Sequence, residues 1–181
     1  MKLTSQLLDD LTARAKSSPR LRMNLDLRTS PEDGSQRMLN ALEPGTEIPI
    51  HRHRKSTETV VLIRGAVRQN YYDDSGNLTE SFIAAAPSSM RFASDLSAGQ
   101  SAGPFAELSS ALSAGQLAGD SRPAGPAVAD LAADRDSQAD CVGFNVPTGQ
   151  WHNTVCLEPG TVFIESKDGA YEPLGDGDVM G

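Results

Sequence analysis

A chain of 181 residues with 24 acidic against 16 basic side chains, net charge -8, repels phosphate backbones and anionic lipid surfaces, so nucleic acid and membranes are not expected partners. The length suits one domain with a real core, which leaves small molecules and other proteins as partners. Cys141 and Cys156 alone make neither a disulfide framework nor a thiolate zinc finger, and the first ten residues turn acidic without the apolar stretch of a signal peptide, so a cytoplasmic location is expected.

In chain order, Leu7, Leu8, Leu11 and Ala15 fall on one helical face, Thr4 or Ser5 can cap it, and Pro19 stops it. Leu21 to Arg28 alternates loosely, as an edge strand does. Residues 1–28 thus read as a helix and arm packing on a main body that occupies 29–181. Thr29 to Gly34 is turn-rich, and short β-type runs follow: Arg37 to Leu42, then Thr46 to His53, where Pro49 points to an edge or a bulge. Glu58 to Tyr72 is a β-branched run broken at Gly65. Asp73 to Gly76 is a hairpin turn and Leu78 to Ala86 the returning strand.

Between about 87 and 139 the composition shifts to Ala, Ser, Gly, Asp and Pro, too poor in large apolar side chains to offset its ordering entropy. Leu96-Ser97-Ala98-Gly99-Gln100 recurs as Leu112-Ser113-Ala114-Gly115-Gln116, a local duplication too short for a solenoid. This stretch is expected to be a disordered insertion between two strands, with helical turns near 105–112 and 128–133; a functional lid is the alternative. The β pattern resumes at Val142 to Val146, turns at Pro147-Thr148-Gly149, continues from Trp151 to Leu157 and ends with Thr161 to Glu165, before a Gly-rich acidic tail from Lys167. Many short strands with tight turns and no strand-helix alternation predict a mainly β protein of antiparallel sheets.

All three histidines of the chain fall at positions with metal-ligand spacing. On a strand, His51 and His53 project to the same side about 7 Å apart, while Arg52 points away. Glu58 follows after an excursion able to reverse the chain, and His152 stands just beyond a Pro-x-Gly turn. Three imidazoles and a carboxylate are intermediate donors, suited to Fe, Mn, Ni, Co or Zn and poorly suited to Ca. The same short motif also occurs as ordinary surface histidines, so its full spacing matters. Gly45, five residues, His51-x-His53, four residues, Glu58, six residues, Gly65 resembles the first signature of the cupin superfamily, and Pro147-x-Gly149-x-x-His152 the centre of the second. Cys141 and Cys156 stand where that second signature has Gly and Asn, and neither position supplies a ligand.

The runs 18–24, 36–45, 148–152, 157–161 and 167–173 are similar to the WbuC family of cupin-fold metalloproteins, apart from the 87–139 insertion. The resemblance implies a jelly-roll type antiparallel β-barrel of six to eight strands with a bound divalent metal, and a place in bacterial surface-polysaccharide metabolism. It implies no particular reaction. An enzyme using the metal as a Lewis acid on a sugar or keto acid, an Fe(II)-dependent dioxygenase and a non-catalytic metal-dependent binding module all remain open. An isomerase or lyase would need a base, and Tyr71, Tyr72 or an acidic residue would have to provide it. Arg22, Asn24, Asn40 and Arg68 are the candidate substrate-binding side chains near the barrel mouth. A homodimer is the assembly that the fold suggests.

Overall fold

The computed structural model describes residues 1–89 and 139–180. Most of the expected 87–139 insertion, with its duplication and its helical turns, lies outside the described residues. The elements run α1 (Ser5–Ser17), β1 (Arg22–Asp26), β2 (Ser35–Leu42), β3 (Glu58–Arg64), β4 (Ala66–Tyr72), β5 (Leu78–Ala85), β6 (Gly143–Val146), β7 (Trp151–Cys156) and β8 (Thr161–Asp168).

Two antiparallel sheets pack face to face, one in the order β1-β2-β8-β3-β6 and the other β5-β4-β7. Between them lie Leu42, Val60, Leu62, Val67, Ala84, Cys156 and Phe163, contributed by strands of both sheets at alternate positions. The other face of the larger sheet presents Leu39, Ala41 and Val162, which α1 covers with Leu8, Leu11 and Ala15. Thr4 caps α1, its Oγ1 accepting from the Leu7 N–H at 3.3 Å. The helix therefore packs on the outside of the sandwich. Among the described residues no helix is long and apolar enough to cross a membrane.

Gly65 carries the chain from the larger sheet to the smaller. Its φ is +69°, and a Cβ there would stand 2.3 Å from Thr161 Oγ1, so both backbone sign and space demand glycine. One expected strand is absent and one strand end differs from the sequence reading. Thr46 to His53 forms no strand: only His51 bridges, to His152 and to Val179, because Pro49 has no N–H to give to a ladder. Conversely β8 runs three residues past Glu165, pairing Ser166, Lys167 and Asp168 with β2 and the first two with β3. Cys141 and Cys156 are both free. Cys141 bridges Ala84 on β5 and Cys156 pairs with Val67 on β4, so two strands separate them.

Candidate metal centre

Glu58 opens β3 on the inner face of the larger sheet, opposite Lys167 of β8 and Val146 of β6. His152 lies on β7 of the smaller sheet, paired with Tyr71. The segment bearing His51 and His53 is stitched to the free edge of β7. His51 donates its N–H to His152 O at 2.9 Å, His152 returns one to His51 O at 2.8 Å, and Gly149 donates to His53 O at 2.7 Å. Side chains alternate as the sequence predicted. His51 and His53 face inward, while Arg52 lies over the Trp151 ring at 4.2 Å and Arg54 pairs with Asp178.

The structure thus brings together His51, His53, Glu58 and His152. One ligand atom from each histidine lies within 4.8 Å of the others. Glu58 Oε2 stands 3.2 Å from His53 Nε2 and 3.7 Å from His152 Nε2. His152 is 2% exposed and Glu58 6%. Tautomers follow from the backbone: His51 Nδ1 faces Pro49 O at 3.0 Å and His152 Nδ1 faces Gln150 O at 2.9 Å. A carbonyl only accepts, so each Nδ1 carries the proton and each Nε2 keeps its lone pair for the centre.

Burial, reinforced by the neighbouring His152, lowers His51 to about 4, so its imidazole is neutral at neutral pH and fit to be a ligand. Burial alone would raise the Glu58 carboxyl, but the imidazoles of His152 and His53 and the Lys167 charge hold it well below its usual value. The buried atoms His53 Nε2 and Glu58 Oε2 complete no hydrogen bond. Two such atoms facing each other at 3.2 Å call for a cation or a shared proton between them. The donor set fits a divalent transition metal.

A cavity of about 750 Å³ opens over this centre, and Arg22, Asn24 and Asn40 line it. Arg22 donates to Glu47 O at 2.8 Å and Asn40 Nδ2 to Glu165 Oε2 at 3.1 Å. Arg68 does not line it. It occupies the register position between Val67 and Gln69 on β4, and Val67 belongs to the core between the sheets. Tyr71 and Tyr72, the bases considered from sequence, are engaged elsewhere: Tyr71 OH donates to Asn145 O at 2.9 Å and Tyr72 OH to Asn153 Oδ1 at 3.1 Å. Burial pushes the Tyr71 hydroxyl up to about 12, which suits a donor.

Sequence reasoning missed Glu165 and Lys167. Both line the cavity, with Lys167 Nζ 2.5 Å from Glu165 Oε1 and 3.4 Å from Glu58 Oε2. Burial and the Glu58 charge raise the Glu165 carboxyl. Burial would lower the Lys167 ammonium, but the Glu58 and Glu165 charges raise it. The period-two pattern from Phe163 through Glu165 to Lys167 was the signal that could have found them.

A family model described as a domain of unknown function, DUF6016, matches residues 3–84. No curated protein matches the chain. Among solved structures, a recombinant oxalate oxidase in complex with glycolate is similar with a TM-score of 0.50 at 12% identity, over 88% of this chain and 57% of that one. KdgF from Halomonas sp. gives a TM-score of 0.43 at 12% identity, over 85% and 84% of the two chains. The chain therefore spans little more than half the length of the oxalate oxidase. At this identity the likeness is one of fold, and the fold is that of the cupins.

Proposed function

We propose that this chain binds one divalent transition metal through His51, His53, Glu58 and His152, and offers the ion's remaining positions to a small polar molecule such as a sugar or keto acid. The observation that carries this reading is the convergence of two lone-pair-bearing imidazole nitrogens with the hydrogen-bond-deficient His53 Nε2 and Glu58 Oε2 in one buried spot. A bound ion would act there as a Lewis acid on a ligand oxygen. Fe, Mn, Zn, Ni and Co all suit the donors. The similarity of the sequence to the WbuC family supports a role in bacterial surface-polysaccharide metabolism.

A non-catalytic binding module is the second reading. It is favoured by the placement of every histidine at the centre and of the Tyr71 and Tyr72 hydroxyls in other hydrogen bonds, which leaves no imidazole and neither of those two phenols as a base.

Protein purified without chelator should carry close to one equivalent of transition metal by elemental analysis. His152→Ala and Glu58→Gln should each lose most of it; full retention in both folded variants would sink the assignment. With metal-loaded protein, saturable binding of nucleotide sugars or keto acids without turnover, with and without dioxygen, would select the binding module.

A further inference from the structure

The charge lining the cavity differs from the charge of the chain. Six cationic and five acidic side chains line it, whereas the whole protein carries -8, so the cavity lacks the acidic excess of the rest of the molecule. Several of those charges are paired at the mouth: Arg52 and Arg54 with Asp178, and Lys55 with Glu172. Deeper in, the side chain of Lys167 is 12% exposed and that of Glu165 16%. Asn40 donates to one oxygen of Glu165, and Lys167 meets the other at 2.5 Å, which fixes the carboxylate and aims the ammonium.

An ammonium has three N–H groups. Glu165 takes one of those of Lys167. Its other contact, 3.4 Å to Glu58 Oε2, is long and goes to the oxygen that a metal would claim. Lys167 therefore presents hydrogen-bonding capacity to the cavity right beside the ion's own ligand. A buried ammonium gains most from an anionic oxygen, because the Coulomb attraction of opposite charges, weakly screened away from solvent, adds to the hydrogen bond. A neutral sugar hydroxyl supplies far less. Arg22, which donates to the Glu47 carbonyl, and Arg20 also line the cavity and add positive potential.

We propose that the molecule this cavity receives is a small 2-hydroxy- or 2-oxocarboxylate, whose carboxylate is anchored by the ammonium of Lys167 while a neighbouring oxygen reaches the metal position. The two anchor points are separated only by the Glu58 carboxylate, so the two oxygens belong to one compact fragment. Glu165 and Asn40 are positioning residues that hold Lys167. This inference rests on the metal-binding reading above and narrows its ligand to an acid.

The test uses calorimetry on metal-loaded protein, with metal content measured in the same samples. Three probes are compared: lactate, lactamide and propane-1,2-diol. Lactamide keeps both neighbouring oxygens and loses the charge. Lactate should bind at least tenfold tighter than either neutral probe. That preference should vanish in the double variant Lys167→Met with Glu165→Gln, which removes both charges and so leaves no lone buried ion, and it should persist in Lys55→Gln at the mouth. Equal affinity of the wild-type protein for lactate and lactamide overturns the proposal without any variant. A preference kept in the folded double variant, or lost equally in Lys55→Gln, overturns the assignment to Lys167. In each of these cases a full complement of metal leaves the metal-binding reading standing; a protein that takes up no ion overturns both.

Discussion

Gly65 shows how a single residue fixes the geometry between the sheets. A Cβ at this position would stand 2.3 Å from Thr161 Oγ1 and 2.9 Å from its Cα, and the Cα belongs to backbone that has no rotamer with which to yield. The Thr161 hydroxyl also receives the Ala66 N–H at 3.2 Å. Gly65→Ala should cost about 2–4 kcal/mol, combining left-handed strain with overpacking; an unchanged urea midpoint would refute the account. Other single residues were less legible. His51, His53, Glu58 and His152 could be read because three are close in sequence and the fourth follows a turn with its own Pro and Gly. Arg68 was assigned to the cavity because nothing in β4 alone tells which of its two faces looks inward. The pairing of Tyr71 with His152 and of Val67 with Cys156 settles that parity, and it is a long-range fact.

At the scale of elements, α1 and the strands serve separate ends. The helix buries Leu8, Leu11 and Ala15 on the outer face of the larger sheet, whereas Glu58, Glu165 and Lys167 project from the inner one. Leu11, 2% exposed, has apolar neighbours on all sides, so Leu11→Ala should destabilise the protein by about 2–5 kcal/mol. Metal uptake by the folded fraction should stay at the wild-type level. A lost equivalent of metal in folded Leu11→Ala would show that the two faces are coupled. Apart from the strand expected over Thr46 to His53, element existence was legible from sequence, since short apolar runs with Gly and Pro punctuation recur in β2 to β8. Element ends were not. Ser166-Lys167-Asp168 has the composition of a tail, yet it lies between two neighbouring strands, and backbone pairing on both sides outweighs its polarity. That misplacement hid Lys167 from the sequence reading.

At the scale of the whole molecule, the stretch after β8 returns across the cavity and clips onto the segment that bears two candidate ligands. Residues from Gly169 to Gly175, and Asp178, line the cavity mouth. Arg52 N–H donates to Asp178 O at 3.0 Å, Met180 N–H to Ile50 O at 2.9 Å, and the Arg54 guanidinium to Gly177 O at 3.0 Å. In His51-Arg52-His53-Arg54 the imidazoles thus face the centre while the guanidiniums grip the returning chain, so one segment couples the two. The ion pairs in this clip are unequal. Lys55 and Glu172 are 78% and 63% exposed, and such pairs contribute little against solvent screening and side-chain entropy. Asp178 is 17% exposed, meets both Arg52 and Arg54, and is held below the usual carboxylate range chiefly by its hydrogen bond from Arg54. Asp178→Ala should therefore loosen the His51 to His53 segment and speed loss of the ion to a chelator several-fold. Glu172→Gln should release it at the wild-type rate. Stopped-flow chelation with a chromogenic indicator reads both. Equal release from Asp178→Ala and wild type would mean that the bridge to His152, with its two backbone hydrogen bonds, holds the ligand segment without help from the tail.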